Sequence, residues 1–187
     1  ERNAKKIRIL FSSRLIDDVM DPNNPGKKAS CVQMARTSVY YDKEVGFACM
    51  NSVFAGHPRD YAKRTLVPAL FSSKTGDPGT WTYHGKLSGE PAMYEKQQKR
   101  RWIGDGSIVR TQNGWRIYLC GYGPTVAAAE SNTLDGPWKF IRRSGRLLDI
   151  LPGLKGGCFP YVLKVSDKEY HLWISRKWPT GPVYHLT

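Results

Sequence analysis

The chain has 187 residues and carries 29 Lys and Arg against 16 Asp and Glu, which gives a formal net charge of +13. Hydrophobic residues make up 40% and charged residues 24%, the usage of a globular protein, which excludes a disordered tail or a fibrous protein. No apolar run approaches the roughly 20 residues that a bilayer-spanning helix needs, so we expect one non-spanning domain over residues 1–187.

A short motif recurs along the chain. It is present at Phe11–Leu15 and Phe71–Thr75 and, more loosely, at Ala129–Thr133, so that a serine returns at positions 13, 73 and 131. The second and third copies lead through a polar turn to a tryptophan, Trp81 or Trp138. Because a fixed period of several tens of residues decides the architecture, we interpret the unit as a strand, a turn and a Trp-bearing strand.

A second element alternates with the first and has the pattern of a β-hairpin. Its copies are Ser38–Cys49, Ser107–Cys120 and Tyr161–Ile174. The middle copy contains Asn113-Gly114, a strong hairpin signal, because both central residues of a type I′ turn have positive φ. The two elements together supply four short strands in each unit of about 60 residues.

This pattern predicts an all-β fold, a β-propeller of four-stranded antiparallel blades with about three repeats present. An antiparallel sandwich with accidental internal similarity is the alternative. Two polar segments, Asp17–Ser30 and Glu90–Arg101, are each predicted to be a long loop or a short helix. The chain is expected to begin and end in the middle of a blade. Since propellers have four to eight blades, a longer protein, missing residues or association would complete the ring.

Three stretches of the sequence resemble the five-bladed propeller glycoside hydrolases, the clan of arabinanases, xylosidases, invertases and levansucrases. They are Asp105–Leu119, Ala127–Trp138 and Phe159–Ser175. The resemblance covers most of residues 36–187. It implies a funnel at the propeller axis in which acidic residues at the inner ends of successive blades act on a glycosidic bond.

Carried over residue by residue, the resemblance assigns the inner-end positions to Arg36, Asp105 and Cys158. Asp105 matches an aspartate of the family and is the predicted catalytic residue. Cys158 stands where the family often has a glutamic acid, and Arg36 stands where a carboxylate is expected. A guanidinium does not act as a base at neutral pH, so both departures put the standard two-carboxylate mechanism in doubt. We therefore expect Arg36, Cys158 and Trp102 to bind substrate, through an anionic substituent, pocket shape and ring stacking respectively.

Other carboxylates remain candidates for the missing acid. Glu130 lies on a predicted strand, while Glu90 and Glu95 flank a basic loop. For all of them a solvated ion pair on the surface is the alternative interpretation.

The net charge favours a polyanionic partner. Basic residues cluster at positions 96–101, before Trp102, and at positions 142–146, after Trp138 and Phe140. Such patches suit single-stranded nucleic acid or a sugar ring with acidic substituents. We predict a propeller of the glycoside hydrolase type that binds a glycan, with an acidic glycan favoured over a neutral one, outside the cell or in the periplasm. Whether it also hydrolyses the glycan is left open by the sequence. A non-catalytic lectin-like or interaction propeller is the alternative, and a nucleic-acid-binding module is the third interpretation.

Neither metal sites nor other catalytic motifs are indicated. The four cysteines lie far apart, without a C-x-x-C pair, and no histidine pair has zinc-site spacing, so we predict no metal and no cofactor. His171 and His185 lie in neighbouring predicted strands, where they could meet. A Gly-x-Ser-x-Gly nucleophile elbow is absent from the sequence.

Overall fold

The computed structural model describes residues 16, 18–21, 24, 26–29, 32–56, 64–93, 105–120, 126–147, 158–175 and 181–187, without the side chains of residues 32, 33, 35, 36, 64, 65 and 158. The described residues are almost entirely strands and turns, with one helical turn at residues 90–93. None of their helices is long and apolar enough to cross a membrane.

The first sheet has four antiparallel strands in sequence order. They are β1 (Val32–Asp42), β2 (Gly46–Gly56), β3 (Arg64–Ser73) and β4 (Thr82–Lys86). The second sheet repeats this order with β5 (Gly106–Thr111), β6 (Gly114–Cys120), β7 (Val126–Ser131) and β8 (Lys139–Phe140). Each strand therefore pairs with the next strand along the chain, as in a propeller blade.

A two-stranded hairpin and a third sheet follow. The hairpin consists of β9 (Arg142–Arg143) and β10 (Arg146–Leu147), and the third sheet of β11 (Cys158–Lys164), β12 (Tyr170–Ser175) and β13 (Val183–Leu186). The third sheet has the same sequential antiparallel order, with three strands among the described residues. The predicted all-β fold with four-stranded antiparallel blades is confirmed.

The second sheet is buried on both faces, which fixes the stacking of the three sheets. In β6, Ile117 and Leu119 pack with Met50 of the first sheet. Tyr118, between them in the sequence, packs instead with Ile174 of the third sheet. Because successive strand residues point to opposite faces, a continuous apolar run such as this one fits a strand enclosed between two sheets.

The recurring tryptophans are core residues. Trp138 is 1% exposed and belongs to the core between the first two sheets, and Trp81 is buried on the other face of the first sheet. Ile16 and Val19 from the N-terminal segment cover that face. The repeated tryptophan therefore marks a packing position of the blade.

The repeat is also visible in two glycines that begin the second strand of their sheets. A Cβ on Gly46 would collide with the backbone of Ser73, and a Cβ on Gly114 would collide with that of Ser131. Both glycines have positive φ, 86° and 129°.

The hairpin turn lies at residues 112–113, one residue before the predicted Asn113-Gly114 pair, because Gly114 already pairs with Thr111 in the ladder.

Candidate functional site

The first strands of the three sheets, β1, β5 and β11, come together with β5 between the other two. A cavity of about 440 Å³ opens where they meet. Its lining residues are Thr37, Ser38, Asp105, Gly106, Phe159, Pro160 and Tyr161. We call this space, where the three inner strands converge, the axial cavity.

Two β-bulges shape the wall of the axial cavity. The pairing of β1 with β2 shifts between Ala35 and Ser38, and the pairing of β11 with β12 shifts between Cys158 and Tyr161. Phe159, inside the second bulge, has a φ of 51°, a left-handed conformation that is unfavourable for a residue with a Cβ. Bulges redirect side chains and are common beside functional sites, so their position at the cavity favours a binding role.

Asp105 immediately precedes β5 and is 8% exposed. Its Oδ1 accepts a hydrogen bond of 3.0 Å from the Ser52 hydroxyl on β2, and its backbone carbonyl accepts one of 2.8 Å from the Cys120 amide. The carboxylate is thus oriented by the neighbouring sheet while its residue lines the cavity. The next residue, Gly106, leaves no room for a side chain, because a Cβ there would lie 2.5 Å from the backbone carbonyl oxygen of Tyr118 on β6 and equally close to Met50 Cε.

A buried serine links the three inner strands beside this carboxylate. The Ser107 hydroxyl on β5 lies 3.0 Å from the Ser38 hydroxyl on β1 and accepts a 3.1 Å hydrogen bond from the Val162 amide on β11. Ser107 is fully buried, and Ser38 is 7% exposed. The cavity wall is therefore held by polar contacts across all three sheets.

The predicted site residues are partly brought together. Asp105 lines the axial cavity, while Arg36 and Cys158 immediately precede the lining residues Thr37 and Phe159. Their backbones lie in the bulged parts of β1 and β11, and their side chains lie outside the described residues. Trp102 also lies outside the described part of the chain. The catalytic role of Asp105 and the binding roles of the other residues stay predictions.

The other candidate carboxylates lie elsewhere. Glu130 forms an ion pair with Arg116, with hydrogen bonds of 2.6 and 2.8 Å. Glu90 accepts a 2.9 Å hydrogen bond from the Phe140 amide and lies 3.3 Å from Arg142. Glu95 lies outside the described residues. Among the described residues that line the axial cavity, Asp105 supplies the only carboxylate.

The basic cluster at positions 142–146 forms the β9–β10 hairpin, where the three arginines are exposed. Trp138 and Phe140, which precede it, are buried at 1% and 6%. These two aromatic rings therefore do not offer a stacking surface for a nucleotide base. The basic cluster at positions 96–101 lies outside the described residues.

The cysteines and histidines give two further findings. Cys49 is fully buried, and desolvation raises the pKa of its thiol to about 12, so this thiol is neutral at physiological pH. His171 and His185 do meet, with Nδ1 of the former 2.9 Å from Nε2 of the latter. Within the described ranges, no group of three or more His, Cys, Asp or Glu residues is arranged to hold a metal ion.

Several cavity residues are missed by the sequence-based prediction. No site role is predicted for Thr37, Ser38, Pro160 or Tyr161, and all four lie in or beside the bulges of β1 and β11. A usable signal is their position, directly after the inner-end residues that the resemblance identifies.

Comparison with known proteins gives a limited result. The sequence matches no known family profile and no curated protein. Among solved structures, the chain is similar to a GH43 β-xylosidase/α-arabinofuranosidase from a compost microbial metagenome, crystallised with xylotriose in a calcium-free form. The identity is 16%, the TM-score is 0.49, and the match covers 76% of this chain. The matched region spans 42% of the xylosidase chain, so the likeness concerns the course of part of its backbone.

Proposed function

We propose that the protein binds a carbohydrate in the axial cavity, as a propeller of the glycoside hydrolase type. The observation that carries this proposal is the buried Asp105 carboxylate, held by Ser52 in the wall of a cavity formed by three inner strands. A fixed carboxylate is a strong acceptor for the hydroxyl groups of a sugar.

The shape and lining of the cavity support a sugar ligand. Its volume of about 440 Å³ lies within the 300–1,000 Å³ typical of small-molecule sites. Phe159, Pro160 and Tyr161 give one side an apolar surface suited to the face of a sugar ring, while Thr37 and Asp105 supply polar groups on other strands. This combination of an apolar wall with a few polar groups fixes the orientation of a ligand.

The charge of the chain favours an acidic glycan over a neutral one. The net charge of +13 attracts anions over distances comparable to the Debye length, about 8 Å at physiological salt. Arg36, beside the cavity-lining Thr37, is the residue we propose for a carboxylate or sulfate substituent, because a guanidinium binds such groups in bidentate fashion. We place this activity outside the cell or in the periplasm.

Hydrolysis of the bound glycan is the second candidate function, and the presence of Asp105 favours it. Glycosidases of this type use two carboxyl groups, separated by about 5–9.5 Å depending on the stereochemical outcome. Asp105 would serve as one of them. Since Cys158 occupies the position at which the resemblance expects a glutamic acid, hydrolysis would need a second acid from outside the described lining.

The test measures binding and turnover separately on neutral, uronic and sulfated oligosaccharides. Isothermal titration calorimetry gives affinity, and reducing-sugar release gives turnover. Asp105→Asn should weaken binding at least about tenfold, the loss of one charge-assisted hydrogen bond of roughly 1.5–3 kcal/mol. Glu130→Gln, remote from the cavity, is the matched control and should leave affinity unchanged.

The outcomes separate the two functions. Sugar release that disappears in Asp105→Asn would establish a glycosidase. Specific affinity without release would establish a lectin-like propeller. Binding that is indifferent to sugar identity and to Asp105→Asn would overturn both proposals, and a steep salt dependence would then favour nucleic acid.

A further inference from the structure

A second group of reactive side chains lies outside the axial cavity. It is formed by the last two strands of the first sheet and a turn of the second sheet. Ser72 is on β3, His84 is on β4, and Asp135 is in the turn between β7 and β8. His84 Nε2 lies 2.7 Å from Ser72 Oγ, and His84 Nδ1 lies 2.9 Å from Asp135 Oδ1. The three side chains therefore form one continuous hydrogen-bonded chain, which we call the Ser72 relay.

The chemistry of the three groups fixes the direction of the protons. An ionised carboxylate only accepts hydrogen bonds, so the proton of the neutral imidazole is on Nδ1, facing Asp135. The lone pair of Nε2 then accepts the hydroxyl proton of Ser72. This is the tautomer and orientation in which an imidazole acts as a general base toward a serine.

Local backbone geometry directs His84 toward Ser72. In the ladder between β3 and β4, Leu70 pairs with Gly85 and Phe71 pairs with Tyr83, which leaves His84 as the extra residue of a bulge. The positive φ of Gly85, 92°, accompanies the bulge. Without the extra residue, the alternation of the strand would place the side chain at this point on a different face.

The relay opens into a cavity of its own. This cavity of about 260 Å³ includes Ser72 and His84 in its lining. Val45, Phe47 and Leu134 form apolar wall, and Arg110 and Asn132 add two side chains that donate hydrogen bonds. Ser72 is half-buried and the His84 side chain is 16% exposed, so both are shielded and still reachable from solvent.

We propose that the Ser72 relay is an acyl-transfer site that hydrolyses esters of short carboxylic acids. Ser72 Oγ forms a bond to the carbonyl carbon while its proton passes to His84 Nε2, and Asp135 stabilises the imidazolium. We assign Arg110 and Asn132, which line the same cavity, to stabilisation of the oxyanion. The intermediate then loses its alkoxide, which takes the proton from His84 and leaves as the alcohol.

The second half-reaction restores the enzyme. Water gives a proton to His84 Nε2 and its oxygen attacks the acyl-Ser72 carbonyl. The bond to Oγ breaks, the carboxylic acid is released, and the proton returns to Ser72. The net reaction is ester plus water to acid plus alcohol. The volume of about 260 Å³ and the apolar wall favour a small acyl group, such as acetyl or butyryl.

The first experiment uses the unmodified protein. It is incubated with a fluorophosphonate, a reagent that phosphonylates activated serines with loss of fluoride, and digested for peptide mass spectrometry. We expect labelling of Ser72 and its loss in His84→Gln. A wild-type protein that is not labelled at Ser72 would overturn the proposal, whatever the folding of any variant.

The second experiment measures hydrolysis of p-nitrophenyl acetate and butyrate. Ser72→Ala removes the nucleophile and leaves the imidazole of His84 in place, and it should lower the rate by about 100-fold or more. Asp135→Asn should lower it less, about tenfold, because this carboxylate is 71% exposed.

His171→Gln removes another hydrogen-bonded imidazole and is the control for non-specific hydrolysis by histidine. It should leave the rate unchanged. The proposal would be overturned if the Ser72→Ala variant hydrolysed the esters as fast as the wild type and had the same melting temperature. The Ser72 relay would then serve only the packing of the first two sheets. Neither result depends on glycan binding at the axial cavity, so this proposal and the proposed function fail separately.

Discussion

Replacing Ser107 by alanine tests whether one hydroxyl group joins the inner strands of all three sheets. In the wild type this hydroxyl contacts Ser38 on β1 and the amide of Val162 on β11, at 3.0 and 3.1 Å. Ser107 itself is 0% exposed, so water does not replace the lost contacts. The substitution therefore removes two hydrogen bonds and leaves an amide without this partner.

The size of the effect follows from these two contacts. Each hydrogen bond contributes about 0.5–1.5 kcal/mol net, and an unsatisfied buried group costs about 1–3 kcal/mol. We expect Ser107→Ala to lower the free energy of unfolding by about 2–4 kcal/mol. For a chain of this size, that corresponds to a fall in melting temperature of roughly 4–16 °C.

Urea unfolding followed by tryptophan fluorescence measures this difference. Ser38→Ala is the matched control, because it removes one hydroxyl of the pair and leaves the bond between Val162 and Ser107. Its expected loss is about 1 kcal/mol. If Ser107→Ala destabilised the protein no more than Ser38→Ala does, the inference that Ser107 joins three strands would be refuted.

Three more predictions concern packing and thiol reactivity. Gly106→Ala places a Cβ 2.5 Å from the backbone carbonyl oxygen of Tyr118 and should destabilise the fold by about 1–3 kcal/mol in thermal unfolding, whereas unchanged stability would contradict this close approach of β5 and β6. Trp138→Ala should cost about 3–5 kcal/mol in the same assay, and the exposed neighbouring change Lys139→Ala less than about 0.5 kcal/mol; equal effects would contradict the burial of the tryptophan. The thiol of Cys49, with its pKa raised by burial to about 12, should resist iodoacetamide at pH 8 until the protein unfolds, as read by peptide mass spectrometry. Rapid alkylation of the native protein at this cysteine would show that the burial is wrong.

Much of the fold is predictable from the sequence, because its signals are local. The hairpin around Asn113 depends on turn residues next to β-rich flanks, and the recurrence of Trp81 and Trp138 reflects one packing position used twice. The turn is displaced by one residue from the prediction because Gly114 is needed in the ladder, close to the backbone of Ser131. That contact lies between two strands, so the local sequence does not report it.

The sites are less predictable, because their residues come from separate strands. Asp105 is identifiable through the resemblance, whereas Thr37 and Phe159 reach the cavity through bulges that the alternation pattern does not contain. The Ser72 relay is even less predictable from the sequence, because His84 lies 51 residues from Asp135 and in another sheet. A search for Gly-x-Ser-x-Gly misses Ser72, which is placed by a β-ladder instead of a strand-to-helix turn.

The most direct test of the central claim is a crystal structure of the protein with the oligosaccharide that binds most tightly in calorimetry. We expect a sugar ring in the axial cavity, with a hydroxyl group within hydrogen-bond distance of Asp105 and the ring face on Phe159 or Tyr161. Ordered sugar at another surface, with the axial cavity filled by water alone, would contradict it.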